Sequence, residues 1–447
     1  MEFGVAEVGD ELSASNELAG KEAPVQVMQP WRLYGSAQRW LYLAVLFLVT
    51  TSNYFDYFVL SVILEPIKKE FHVSDTQLGL LTGFSFALFY VAAALPIAHW
   101  ADRGNRRTVM SVCLVAWSFV TAACGFARSF WQLVASRMLI GAVEPGGVPP
   151  AQSLAADYFP PERRATALIL LSQGGAAMGY LVGIGVGGYV AAKYGWRCAF
   201  LVAGVPGIAL AAIVRLVLPE PRQQMPTLLT SEQPKGSFAT LAQLVSKRSY
   251  LLALLGMSIF VIYSYGIAVF LPSLMIRSLH ATLEQVSVTW GVAMSVANLS
   301  GACGGGWLAD TLSRRDVRWY AWLPMLACVL ALPLYFAVLS SDSLPTFISI
   351  EFVAEVILSA GVPAIYAAVH AVCGSQSRAM AMAVLQFCVI LFGGVGPLIA
   401  GLFSDAFAAV HGTDSLRTSL TVMLGFLIPA ALAFYATSVK LPSELEV

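Results

Sequence analysis

Five ionisable side chains stand inside apolar runs that have no ordinary use for them: Asp56, Arg137, Glu144, Glu351 and Glu355. A charge near mid-bilayer costs roughly 2.5–3.5 kcal/mol on insertion scales, so each one needs a partner or a task. Asp56 and Arg137 lie six to eight residues from the same end of their runs. At 1.5 Å per residue both sit at a similar depth of roughly 9–12 Å, so they pair if their helices are neighbours. Glu144 follows Arg137 by seven residues, two helical turns, and so faces the same way ~10 Å deeper. A carboxylate beside a guanidinium gives up its proton, and the same carboxylate released into apolar surroundings takes one back. Arginine stays charged throughout and can serve as the counter-ion that two acids share. Asp56, Glu144 and Arg137 are therefore the minimum apparatus for moving a proton; the plainer alternative is a static ion pair.

Glu351 and Glu355 are one turn apart on one stripe and suit the wall of a polar cavity. Tyr54, Tyr57 and Ser61 share a helix face at spacings of three and four. Gln173, Tyr263, Tyr265, Asn298, Tyr366 and Gln386 complete the candidate substrate-binding set, although tyrosine and amide groups in lipid also act simply as interhelical glue. No nucleophile elbow, His-Glu-x-x-His or paired-Asp metal site is present, which disfavours an intramembrane enzyme. No Walker loop is present either, so ATP is not the direct energy source, and no cofactor or metal is expected. The seven cysteines lie singly with no Cys-x-x-Cys, so they read as small buried hydrophobes.

The elements that must carry these groups are membrane helices. The composition is 58% hydrophobic and 12% charged, against about 25% charged in a soluble domain. A spanning helix needs about 20 mostly apolar residues. Twelve such runs occur, near 40–64, 78–99, 108–126, 131–154, 165–191, 197–218, 249–276, 284–308, 319–339, 344–372, 379–404 and 416–438. Strand-length alternation is absent, which argues against a barrel. The tails and alternate loops on one side carry 17 Lys/Arg, the other loops seven, so both termini are expected in the cytoplasm. Residues 1–38 read as a disordered tail and 441–447 as a second short tail. The polar, acidic start is unlike a cleavable signal peptide, so the first span is expected to stay as an anchor. Net charge is zero, and nothing suggests a nucleic-acid partner.

The proline-rich, polar stretch 219–248 divides the chain into bundles of six spans over 39–218 and 249–440. The halves repeat. A shift of 208 carries Gln77 onto Gln285, Gly83 onto Gly291, Asp102 onto Asp310 and Arg106-Arg107 onto Arg314-Arg315. A shift of 214 carries Gly147-Val148-Pro149 onto Gly361-Val362-Pro363, Arg164 onto Arg378, and Arg137 onto Glu351. Such repeats in transport proteins build two bundles that rock about a site at the bilayer midplane. The cavity should then be lopsided, cationic on the first bundle and acidic on the second, which suits an amphiphile or zwitterion better than a simple dianion. Ser74-Asp75-Thr76-Gln77 and Thr282-Leu283-Glu284-Gln285 are capping boxes for the second and eighth spans. Pro161 suits the start of the fifth. Gly174, Gly175, Gly179, Gly183, Gly187 and Gly188 give that span a small face, partly repeated by Gly393, Gly394, Gly396 and Gly401, for close packing or for sliding between bundles.

The loop Trp100-Ala101-Asp102-Arg103-Gly104-Asn105-Arg106-Arg107, echoed by Asp310, Arg314 and Arg315, resembles the signature loop of the major facilitator superfamily. Three stretches are similar to its Spinster-type branch: Asn53-Tyr54-Phe55-Asp56 through Leu64-Glu65-Pro66-Ile67, Ser74 through Leu81, and Asp157-Tyr158-Phe159-Pro160-Pro161-Glu162-Arg163-Arg164 onward. Two positions depart from the pattern: Tyr57 stands where the branch usually has Arg, and Ala98 where the loop often has Gly. The resemblance implies an all-α polytopic membrane protein, its twelve helices forming two pseudo-symmetric bundles around a central cavity.

It further implies proton-coupled alternating access for an amphiphilic lipid or organic-anion substrate, driven by the proton gradient. The alternative is a proton symporter importing a small organic or aromatic acid. Asp102, Arg103, Arg106 and Arg107 are expected to bridge to Asp157 as a cytoplasmic gate, with Asp310, Arg314 and Arg315 as its second copy. The expected setting is a monomer in a bacterial inner membrane.

Overall fold

A computed structural model describes residues 29–224, 237–374 and 377–445. The expected tail over 1–28 and the middle of the expected linker, 225–236, lie outside the described residues. In hydrocarbon each backbone amide must find its partner within its own segment, and the chain answers with helices; no strand occurs among the described residues. Ten segments are long and apolar enough to cross a membrane. The last of them, Met380–Ser443, holds two spans separated by Gly412, whose φ of 53° with ψ of −119° is a combination that glycine takes without strain. A further span escapes a simple length criterion because it is broken in the middle, and twelve result.

In chain order the first bundle contains α1 (Ser36–Val62), α2 (Asp75–Arg103), α3 (Arg106–Cys124), α4 (130–158), α5 (Pro161–Tyr194) and α6 (Trp196–Val217). The second contains α7 (Arg248–Ser278), α8 (Gln285–Ser313), α9 (Trp319–Leu339), α10 (Leu344–Val372), α11 (Arg378–His411) and α12 (415–440). α1 begins before residue 39, preceded by a turn at Pro30–Leu33. The buried Tyr34 beside that turn stacks edge-on against Tyr42 and Tyr158, which anchors the entry to α1. Within the expected linker, Ser237–Ser246 is helical, and its Leu244 is buried.

The two halves pack alike. α1 lies on α5, α2 on α4 and α3 on α6; α7 lies on α11, α8 on α10 and α9 on α12. Both capping boxes form: Gln77 and Gln285 donate their amides to Ser74 and Thr282, and their side chains accept from the Ser74 and Thr282 amides. Pro161 opens α5 as the sequence suggests. α4 departs from a continuous span. It runs as helix to Val143, tightens to a 3-10 turn at Glu144–Gly146 and restarts at Val148. Pro145, Pro149 and Pro150 lack the amides a continuous helix needs there. π-helical turns interrupt α2 at Leu80–Phe84, α8 at Gln285–Trp290, and α5 at Leu170–Gly174 and Leu181–Val186.

The bundles meet along α2 against α11 and α5 against α8, contacts that exchange with each other under the repeat. Backbone approaches backbone here. A methyl group at Gly83 would run into the Gly394 carbonyl, and one at Gly79 into that of Pro397. The repeat partner Gly291 packs on Ile184, and Gly188 on Ser287. Most of the α5 glycine face has a different role. Gly175, Gly179, Gly183 and Gly187 seat α5 on Thr50, Tyr54, Phe58 and Val59 of α1, inside one bundle. Close packing, not sliding, is their function, whereas Gly394 and Gly401 of α11 do face across to α2.

Gly83→Leu should wedge α2 from α11 and open the end of the molecule remote from the termini. Spin labels on the exposed Lys69 and His280, one on each bundle, will report this as a longer distance than in the parent chain. An unchanged distance distribution would refute the wedge.

Candidate functional site

α1 brings Asn53 and Asp56 one turn apart to face α3 and α4. Thr121 of α3 donates to Asp56 Oδ1 at 2.9 Å, and Arg137 of α4 stands with Nη1 3.5 Å from Asp56 Oδ2. The expected pairing of Asp56 with Arg137 is thus met. Glu144 does not join it as a second ion-pair partner: Asn53 Nδ2 donates to Glu144 Oε1 at 2.6 Å instead. All three charged groups are 2–3% exposed. The Arg137 guanidinium lies 5.0 Å from the centre of the Phe86 ring. Its Nε and Nη1, together with Asp56 Oδ2 and Glu144 Oε2, are buried without hydrogen-bond partners. A buried charge with free donors is a costly arrangement unless another group or a substrate engages it in turn. The break in α4 places Glu144 in a 3-10 turn, where its carboxyl is offered to α1.

In the second bundle Glu351 and Glu355 have no ion-pair partner among the described residues. Trp290 Nε1 of α8 donates to Glu351 Oε2 at 2.7 Å. Glu355, one turn on, receives Tyr335 at 3.0 Å, Ser359 at 2.8 Å and Asn298 at 3.1 Å. The Tyr263 ring lies 5.8 Å from that of Tyr335. Tyr57 meets Tyr265 across the bundles at 5.9 Å, and Tyr180 meets Trp290 at 6.3 Å. Tyr54 lies within electrostatic reach of Tyr90, Glu144, Tyr265 and Tyr366. The structure thus gathers Tyr54, Tyr57, Tyr265 and Tyr366 beside the first bundle's charges, and Tyr263, Asn298 and Glu355 beside Glu351. Ser61 is buried and donates to the Phe58 carbonyl of its own helix. Gln173 and Gln386 are exposed and hydrogen-bond to none of these groups.

Sequence reasoning passed over Asn53 and Thr121, which carry no charge to draw notice. It also passed over a polar seal between the bundles at the end remote from the termini. Arg277 of α7 grips Asp75 through both amino groups at 2.7 Å and reaches Glu65 through Nε at 2.6 Å. Lys68 and Ser404 add bonds to Asp75 at 2.6 and 2.7 Å. Asp405 of α11 accepts the Asp75 and Thr76 amides at 3.0 and 2.8 Å, a helix cap supplied from the opposite bundle. The signal was present: Asp75 sits inside the capping box of α2. On the same side, outside the spans, hydrogen bonds from Arg197 hold the Glu70 carboxyl below its usual range.

At the termini end, no ion pair or hydrogen bond crosses between the bundles among the described residues. Arg106 does reach Asp157 at 2.6 Å as expected, and it also binds Glu220 at 2.6 Å. These contacts tie α3, α4 and the start of the linker within the first bundle, so they do not by themselves clamp the two bundles together. Arg107 donates to the Leu218 carbonyl and Arg222 to that of Asp102. Asp102 and Arg103 are exposed, as are Asp310, Arg314 and Arg315 of the second copy. The copies diverge because Asp157 maps by the 214 shift onto Ala371, which has no carboxylate to hold an arginine.

Arg106→Ala leaves Glu220, 1% exposed in its side chain, without its cation, a loss of roughly 3–5 kcal/mol for a broken buried pair. Arg314→Ala removes an exposed charge and should cost almost nothing. Thermal unfolding in detergent will show a large drop for the first and little for the second; equal effects would refute the assignment.

The model of the Major Facilitator Superfamily matches residues 46–354. An MFS-type efflux pump of Mycolicibacterium smegmatis is 30% identical over 91% of this chain and 94% of its own length. A solved bacterial homologue of the human lysosomal transporter Spinster, inward-facing and unoccupied, superposes with a TM-score of 0.81. It is 28% identical, and the match covers 93% of this chain and 100% of that one. The sphingosine-1-phosphate transporter SPNS2 of Danio rerio is 24% identical over 83% of this chain and 77% of its own. The family match, the repeated six-helix bundles and the Spinster-like architecture agree: this chain is a multi-pass membrane transporter of the major facilitator superfamily.

Proposed function

We propose that the chain exports an amphiphile in exchange for protons, with Asp56 and Glu144 as the proton carriers and Arg137 as their shared counter-ion. The observation that carries this reading is the Asp56–Arg137 pair, 3.5 Å apart, 2% exposed on both sides and incompletely hydrogen-bonded. A saturated pair would be structural. A pair with a free carboxyl oxygen and free guanidinium donors has room to exchange partners.

The excess of Lys/Arg on alternate loops supports a cytoplasmic location for both termini. In that orientation the Arg277–Asp75–Glu65 seal closes the outer face, and the state is inward-facing. A proton reaching Asp56 would weaken its hold on Arg137. The guanidinium would then be free to engage Glu144 or a substrate anion. Turnover requires the outer seal to break, and the several charge-assisted bonds converging on Asp75 set a barrier to outward opening.

The aromatic lining suits an apolar body. Tyr57, standing where the Spinster-type branch usually has Arg, withdraws one cation from the headgroup region. The relatives named as an efflux pump and a lipid-phosphate transporter support export of an amphiphile, without specifying its headgroup here.

Purified protein in liposomes with a trapped pH dye should show substrate-dependent proton flux when candidate lipids and organic acids are screened. Asp56→Asn should lower this flux by at least about tenfold while the protein still inserts and unfolds normally. Proton-driven flux that persists undiminished in this variant defeats the proposal. Arg277→Ala should bias the molecule outward, which spin labels on the exposed Lys69 and His280 will register as a longer distance than in the parent chain. An unaltered distance would remove Arg277 from the seal.

A further inference from the structure

We propose that Glu351, walled by Trp290, Tyr180 and Tyr263, forms a subsite for an organic cation, the protonated amine or onium group of the transported amphiphile. The inference rests on the transport reading above and assigns the second bundle its share of substrate recognition.

Charge balance comes first. Glu351 is 2% exposed, and its one donor is Trp290 Nε1 at 2.7 Å on Oε2. Its neighbour Glu355 differs: three donors surround it, so its charge is dispersed by dipoles without any cation. Glu351 has no such shell. Every Lys and Arg between residues 249 and 440 lies toward a helix end or in a loop, and Arg277, near the end of α7, is occupied by Asp75 and Glu65. A buried carboxylate with one neutral donor needs its charge neutralised, either by a proton or by an arriving cation.

The surroundings favour a cation with an apolar body. The groups facing Glu351 are Trp290 of α8, Tyr335 of α9, Tyr263 of α7, Tyr180 of α5 and Glu355 of its own helix, with Cys328 of α9 beside Tyr263; α11 brings no charge to this depth, since Arg378 and Asp405 stand toward its ends. The Tyr263 hydroxyl is fully buried without a hydrogen-bond partner, within electrostatic reach of both glutamates. It is a buried hydroxyl oxygen free to accept a bond, on the same side of the bundle as the two glutamates. The Trp290 and Tyr180 rings, 6.3 Å apart, bring two aromatic π systems beside this carboxyl, and such rings attract cations. Tyr180 comes from the first bundle and Trp290 from the second, so the subsite is whole only while α5 and α8 are in contact. A cation bound there and a proton on Glu351 exclude each other, which provides a second route for exchanging substrate against protons.

The test is equilibrium binding of radiolabelled tetraphenylphosphonium to the full chain in lipid nanodiscs at pH 8 and pH 6. The parent protein should bind it saturably and more weakly at the lower pH, where protons compete for Glu351. Glu351→Gln should weaken binding at least about tenfold and abolish the pH dependence. Glu351→Asp, which keeps the charge, should retain a large part of both, and matched unfolding midpoints will exclude misfolding. Absence of saturable binding to the parent, equal affinity in Glu351→Gln, or pH-independent binding would each overturn the proposal. Liposomal proton flux with a neutral amphiphile separates the two readings. Its survival alongside failed cation binding leaves the transport reading standing. Its loss alongside intact cation binding sinks the transport reading, and with it the assignment of the cation as substrate, while the cation site itself stands.

Discussion

An ion in hydrocarbon must be answered by another charge or by dipoles, and the architecture of this chain follows from how each buried ion is answered. Arg137 is answered by Asp56 and by the face of Phe86, incompletely. Glu144 is answered by the Asn53 amide, Glu355 by three dipoles and Glu351 by a single indole. The gradation runs from saturated groups to groups whose hydrogen bonding is incomplete. Arg106 with Glu220 and Asp157 is at the saturated extreme, a buried knot that fixes the linker to the first bundle.

The same bookkeeping of charge accounts for the asymmetry between the ends of the molecule. At the end remote from the termini, Asp75 collects Arg277, Lys68 and Ser404, and Asp405 caps the helix that Asp75 begins. Beneath this polar seal the glycines of α2 and α11 allow main chain to touch main chain, so charge and close packing act at one seam. At the other end Arg106, Arg107 and Arg222 bond within the first bundle, while Asp310, Arg314 and Arg315 of the second stay exposed. Repeated bundles bridged at one end and unbridged at the other are the arrangement that a rocking-bundle transporter needs.

Much of this was legible before folding. Twelve spans followed from apolar length, and the shift of 208 predicted that Gly83 and Gly291 are equivalent; both prove to lie at the seam between bundles. The pairing of Asp56 with Arg137 followed from equal depth. Other features were not legible because periodicity is blind to them. Asn53 and Thr121 are ordinary polar residues until a carboxylate stands opposite them. The α5 glycines fit sliding and packing equally until Thr50, Tyr54, Phe58 and Val59 are seen to fill them. The break at Glu144 was written in Pro145, Pro149 and Pro150, although a hydropathy window passes over such short interruptions.

The sequence by itself determined what must be buried and where along the membrane normal, because hydrophobic length and the cost of a lone charge are properties of single segments. Only the tertiary structure decided which donor answers which acid, since that depends on the neighbours a helix face acquires. Arg137 and Glu351 are equivalent by repeat yet have unlike partners, an acid for one and an indole for the other. That difference arises between helices, where no reading along a single chain can see it.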